Sequence, residues 1–401
     1  MKSSVMNKYL LVAVLLVLLG NLNTYSQSPA DIIQAAEKLE SNRQYFSAFD
    51  TLIQADPEHQ NPDLVLKKIE LTLAYFTVSV MHQAFGFADL KPEDDLYELR
   101  GKAKANKIFD FKINLILDSL IQKYPEDVRL RLALGNFYYD CHLRYDNNWM
   151  KKNDTLFSLI TQNYQAVNAS GLGNFWSYYA LGYIKAYEGN YGESIELFEE
   201  SIRLNPDYPG SYYDLAHAYY YLDQKEKAIE TAEKTLDLFS DSTRKADAAR
   251  LIGNIYNELG QNEAAIAYYQ KSDSIDPHHY LTTKNLLIQY LKIHHPQLGS
   301  KREAFFLLGP KNPTIYLDLS AIYIAENQTR NLIDFFEDQI GNFRNDIRVR
   351  ANLYYYSGNL YLEFDEEKAA KNLTKARKLF AKFVPEGNRI FEMIDRTLYK
   401  L

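Results

Sequence analysis

One cysteine, Cys141, serves the whole 401-residue chain, so no disulfide can form within it and the fold must be held by packing alone. The thiol reads as a small buried hydrophobe, because a sequence neighbour such as His142 rarely reaches the geometry of a nucleophile–base pair. Enzyme signatures are missing too: there is no phosphate loop, no G-x-S-x-G and no H-E-x-x-H. The pairs His278–His279 and His294–His295 are adjacent residues that diverge on a helix, each beside a proline, which describes solvated helix ends better than a metal site. No cofactor is implied. Positive charge is in deficit, with 45 Lys+Arg against 52 Asp+Glu and a net charge of −7. That balance argues against a nucleic-acid or anionic-membrane binder.

Long apolar runs are also lacking, with one exception. "YLLVAVLLVLLG" at residues 9–20 follows Lys2 and Lys8 and precedes the small residues Thr24 and Ser26. This is the pattern of a secretory signal peptide, residues 1–26, with cleavage expected near Ser26. The run falls short of the roughly 20 apolar residues of a spanning helix. An uncleaved membrane anchor is the alternative. No cysteine stands near the site to carry a lipid. The cleaved chain is expected in the periplasm or outside the cell, without stable membrane insertion.

What is plentiful is aromatic surface, 33 Tyr and 21 Phe, and some of it is periodic. "YYALGYIKAYEGNYGESIELFEESIRLNP", "YYDLAHAYYYLDQKEKAIETAEKTLDLFS" and "ARLIGNIYNELGQNEAAIAYYQKSDSIDP" align by chemical type. A Leu–small pair recurs as Leu181–Gly182, Leu215–Ala216 and Ile252–Gly253. A second set follows at Ser194, Ala228 and Ala265, with Phe198, Ala232 and Tyr269 four residues later, and Pro206 and Pro277 close two of the units. This spacing and pattern resemble the tetratricopeptide repeat family, a helix–turn–helix unit, most closely over residues 175–279, with Lys185 standing where the family usually has Tyr. The resemblance implies an all-α fold, a right-handed α-solenoid of antiparallel helical hairpins. In physical terms Gly182 and Gly253 let two helices approach closely, and each hairpin buries its apolar face only by stacking on the next.

Weaker copies extend both ways, led by Leu134–Gly135 before and by "YLDLSAIYIAENQ" and "LYYYSGNLYLEF" after. Residues 27–174 therefore read as irregular repeats with insertions, 175–279 as well-matched repeats, and 280–401 as degenerate repeats ending in a capping helix over "GNRIFEMIDRTLYKL". Seven or eight hairpins are expected. One insertion, "FGFADLKPEDDLYELRGKAKAN", is expected to separate a helix ending near Gln83 from one beginning near Lys107. Another, "CHLRYDNNWMKKND", interrupts the unit led by Leu134. Both are expected to project, exposing Phe85, Phe87, Tyr145 and Trp149, or else simply to cap an irregular end.

Helical geometry sorts the rings. Trp176, Tyr179, Tyr183 and Tyr187 share the inner face of one first helix; Tyr213, His217, Tyr220 and Tyr221 share that of the next, and Arg250, Asn254, Asn257 and Glu258 that of the third. The partner-binding set is thus Trp176, Tyr179, Tyr183, Tyr187, Tyr213, His217, Tyr220, Tyr221, Arg250 and Asn254, an aromatic floor grading into a polar end. The alternative is that the rings fill space between neighbouring first helices. The family's carboxylate clamp is incomplete: Arg250, Asn254 and Asn285 fit it, but Thr314 and Asp318 stand where two further groups belong. The function expected is a non-enzymatic secreted scaffold that binds a protein or peptide, with an envelope glycan as the alternative ligand of the same groove. An enzyme with its site in the insertions is the third reading.

Overall fold

The computed structural model describes residues 28–102 and 105–401, so the leader read at residues 1–26 lies outside them. Contacts divide the chain into two compact units, Met1–Leu204 and Asn205–Leu401. In the first, the helices are α1 (Pro29–Ser41), α2 (Tyr45–Ala55), α3 (Pro62–Tyr75), α4 (Leu96–Leu99), α5 (Ile113–Lys123), α6 (Val128–Tyr145), α7 (Asn153–Ala169), α8 (Phe175–Tyr187) and α9 (Tyr191–Leu204). The second holds α10 (Pro209–Tyr221), α11 (Lys225–Leu238), α12 (Ser242–Glu258), α13 (Asn262–Ile275), α14 (Tyr280–Lys292), α15 (Leu298–Leu307), α16 (Pro313–Ala325), α17 (Thr329–Asn342), α18 (Ile347–Tyr361), α19 (Glu366–Phe380) and α20 (Arg389–Leu398). The fold is all-α, with one small sheet as its exception.

Local sequence sets the helix ends. Pro62 and Pro313 stand at first helical positions behind the caps Asn61 and Asn312, whose side chains accept from backbone N–H groups. Asn174 and Ser177 cap α8 reciprocally. Gly189 and Gly260 take positive φ, 81° and 71°, in the turns that fold α8 onto α9 and α12 onto α13.

One contact recurs at the crossings of four hairpins. A Cβ built on Gly135, Gly182 or Gly253 would lie 2.7 Å from the ring of Tyr164, Phe198 or Tyr269, and one on Gly358 would lie 2.9 Å from Leu373 Cγ. Glycine on the first helix makes room for a large side chain on the second. At the equivalent positions of α10 and α11 the two are Ala216 and Ala232, both fully buried, so one gained methyl accompanies one lost ring. The helix α20 lies against α19, burying Phe391 and Ile394 and pairing Asp395 with Arg377 at 2.5 Å, and closes the second unit as a cap.

The first insertion differs from expectation. α3 stops at Tyr75, and the chain builds an antiparallel sheet of β1 (Val78–Val80), β2 (Ala84–Phe87) and β3 (Lys107–Asp110), in that order. Phe85, Phe87 and Phe109 are buried, and Phe87 stacks on Phe49 of α2 at 4.3 Å. Aromatic residues suit such a pleated, covered surface. Far from being exposed, Phe85 and Phe87 are core, and Trp149 is buried with its Nε1–H donating to the Met81 carbonyl at 2.8 Å. Only Tyr145 keeps a partly open ring. The β1–β2 turn places Met81 and His82 at φ 50° and 53°, a conformation that costs free energy for residues with a Cβ. Offsetting that cost, the buried His82 ring bonds Ser79 Oγ and Tyr145 OH through Nδ1, at 2.7 and 2.9 Å, and Asp140 through Nε2 at 2.7 Å. The insertion is pinned onto α6.

Candidate partner-binding face

In the first unit the rings of α8 turn toward α6. Trp176 meets Tyr139 edge-on at 5.4 Å, and Tyr183 lies 6.2 Å from Tyr139 and 5.8 Å from His142. Tyr179 is half-buried against the same cluster. Trp176 and Tyr183 occupy the gap between consecutive first helices, Tyr179 lies 6.0 Å from Phe198 of α9, and all three keep part of their surface open. Tyr187, 61% exposed, behaves differently: its neighbour is Phe157 of α7, at 5.0 Å.

In the second unit a run of side-chain bonds links one first helix to the next. Tyr220 of α10 donates to Glu258 of α12. Asn254 Oδ1 accepts from Tyr269 OH at 2.8 Å and from Asn285 Nδ2 of α14 at 3.0 Å, and Asn257 Oδ1 accepts from Gln289 Nε2 at 2.6 Å and Lys292 Nζ at 3.1 Å. Lys284 of α14 then pairs with Asp318 of α16 at 2.8 Å, and Tyr280 donates to the same carboxylate. The bonds show that α10, α12, α14 and α16 present a common face. On it Tyr213 packs against His217 at 4.7 Å, with Tyr221, 58% exposed, at the next turn. Burial pushes the Tyr213 phenol up to about 12 and the His217 imidazole below its ordinary value, so His217 is neutral at pH 7. Arg250 is held by Asp247 and lies 3.3 Å from His279 Nδ1.

Two features of this face escaped the sequence reading. Asp318 is not left bare, since Lys284 pairs with its carboxylate and Tyr280 donates to it. Beyond it, Leu317, Ala321 and Ile324 stand exposed along one side of α16, at 57% for Leu317 and 48% for Ile324. Their spacing is that of a single helix face. They occupy in α16 the register that Tyr213, His217 and Tyr220 occupy in α10. Carrying that register past residue 279 would have found them; the degenerate repeats hid it.

Residues 173–241 and, separately, residues 247–279 match the tetratricopeptide repeat. The chain is 24% identical over 195 residues to Tetratricopeptide repeat protein 1 of Schizosaccharomyces pombe, covering 47% of this chain and 19% of that one. It is 20% identical over 310 residues to the Protein CTR9 homolog of Arabidopsis thaliana, covering 74% of this chain and 24% of that one. It thus spans a quarter or less of the length of these curated relatives. Among solved structures, a crystal structure of MamA aligns with a TM-score of 0.39 at 20% identity, over 47% of this chain and 94% of that one. YrrB, described as a TPR protein with an unusual peptide-binding site, aligns with a TM-score of 0.32 at 14% identity, over 59% of this chain and 97% of that one. Among the described residues no helix is long and apolar enough to cross a membrane.

Proposed function

We propose that the chain is a non-enzymatic scaffold that holds a protein or peptide partner on the common face of α10, α12, α14 and α16. The observation that carries this is the exposed stripe Leu317, Ala321 and Ile324, apolar surface that water would otherwise cover, on the face that also bears Tyr221. Tyr213, His217, Arg250 and Asn254 would line the other end. The charges of this face, Lys284–Asp318 and Arg250–Asp247, are paired internally, which suits a partner that brings apolar side chains rather than a charged terminus. The leader would direct the chain to the periplasm or the exterior, with a mature start near Gln27.

The test is a pull-down from cell-envelope extract with the parent and with Leu317→Asp/Ile324→Asp, both read by mass spectrometry. A specific protein should be retained by the parent and lost from the double variant, while circular dichroism stays unchanged because both side chains are exposed. Equal retention by both would refute the face. Intact mass of the purified chain reports the leader: Met1 retained would overturn the secretory reading.

A further inference from the structure

The excess ring Tyr187 belongs to a second place, in the first unit. One face of α7, carrying Asp154, Ser158, Thr161, Gln162 and Gln165, and the end of α8, carrying Tyr187 and Glu188, enclose an open cleft of about 780 Å³ over Phe157. The α7 positions repeat at helical spacing, so these side chains stand in one row about 16 Å long. Among the described residues, none of these five side chains hydrogen-bonds another protein group, and the Tyr187 hydroxyl has no protein partner there either. The lining contains no cation. Lys185 stands beside it, 3.8 Å from Glu188 and 2.9 Å from Glu193.

We infer that this cleft binds a neutral oligosaccharide, with a sugar ring laid on Tyr187 and its hydroxyls bonded to the row on α7. A pyranose presents an apolar C–H face and a rim of hydroxyls that both donate and accept. The cleft offers one exposed aromatic ring, two carboxamides and two hydroxyls that also do both, and two carboxylates that accept. Other ligands fit less well. A phosphate or nucleic acid would meet Asp154 and Glu188 with no lining cation to hold it. A polyamine would be opposed by Lys185 and would leave the neutral groups unused. A peptide needs apolar subsites along its length, and here Phe157 and Tyr187 are the only apolar residues of the lining. This inference is independent of the partner face of the second unit.

Isothermal titration of the full chain with cellohexaose, maltohexaose and chitohexaose tests it, with spermine and glucose 6-phosphate as charged counter-probes. At least one neutral hexasaccharide should bind and neither charged probe should. Tyr187→Ala should weaken binding by about tenfold or more, Tyr187→Phe by less than about threefold because the ring face is kept, and Gln162→Ala/Gln165→Ala by about tenfold. Leu317→Asp should leave saccharide binding unchanged, so the two faces fail or stand separately. Helicity measured in parallel verifies folding, which the exposed Tyr187 ring does not govern. The inference is overturned if none of the three hexasaccharides binds, if a charged probe alone binds, or if Tyr187→Ala binds as the parent does.

Discussion

Gly253→Ala should destabilise the second unit, although the same exchange in an open helix stabilises. Alanine is intrinsically better than glycine inside a helix by about 0.5–1 kcal/mol. At Gly253, however, the new methyl would lie 2.7 Å from both Cδ1 and Cε1 of Tyr269. That ring is buried and its hydroxyl is tied at 2.8 Å to Asn254, the residue beside Gly253, so it has little freedom to withdraw. Overpacking of this kind costs about 1–3 kcal/mol, which outweighs the propensity gain and leaves a net loss of roughly 0.5–2 kcal/mol. For a unit of this size each kcal/mol moves the melting temperature by about 2–4 °C. Gly192 and Gly341 serve as controls, since a Cβ at either meets nothing within 4 Å. Their alanine variants should be neutral or gain a few tenths of a kcal/mol. A double-mutant cycle sharpens the assay: in a Tyr269→Ala background, which imitates the Ala216/Ala232 pair of the preceding hairpin, Gly253→Ala should turn stabilising. Urea melts giving the same sign in both backgrounds would refute the proposed crossing.

Three further outcomes are expected. Lys68, fully buried, donates to Asp56 Oδ2 at 3.0 Å, so Lys68→Met should leave a buried carboxylate uncompensated and cost about 3–5 kcal/mol in chemical denaturation, and a loss under 1 kcal/mol would show the pair to be dispensable. His59 is lowered from 6.5 to about 4 by burial and by the neighbouring Lys68 ammonium, so the unfolded chain takes up its proton first; the stability it contributes is full above pH 6.5 and is lost as pH falls toward 4. Denaturation midpoints against pH should show that decline, and His59→Gln should flatten it. Phe87→Ala should cost about 3–5 kcal/mol because the ring is fully buried against Phe49, and a near-neutral melt would restore the expectation of a projecting loop.

The repeats were legible because their signal is local. Gly182 and Phe198, or Gly253 and Tyr269, lie 16 residues apart on two helices joined by a tight turn, and spacing alone brings them together. The insertion was not legible, because its sheet depends on pairing Phe85 with Phe109 across a segment that carries no alternation of its own. Strands of three or four residues are too short to display a period against a helical background. Residue type misled as well: Phe85, Phe87 and Trp149 looked like exposed anchors because no neighbouring sequence could be seen to cover them. The stripe on α16 was lost for the opposite reason. Leu317, Ala321 and Ile324 are ordinary core residues by type, and only the register of the second unit turns them outward.

The tyrosines show why aromatic count is a poor guide to binding surface in this chain. A tyrosine buries an apolar body and still donates a hydrogen bond from its far end, so it can pack on one helix and be fastened to another. Tyr164 OH reaches Asn136 at 2.8 Å, Tyr361 OH reaches Glu337 at 2.7 Å, and Tyr316 OH reaches the Pro310 carbonyl at 2.6 Å. Each such bond contributes about 1 kcal/mol and fixes a hairpin crossing, a neighbouring helix or the turn leading into its own helix. In a chain with no disulfide to form, in which each hairpin is covered only by the next, bonds of this kind supply a restraint that cross-links supply elsewhere. Trp176 and Tyr183 likewise settle on α6. The rings free to meet another molecule are those such packing leaves exposed, and among the predicted set Tyr187 and Tyr221 are the two exposed rings. Because they lie in different units, on surfaces of different chemistry, substituting them one at a time separates a saccharide from a protein ligand.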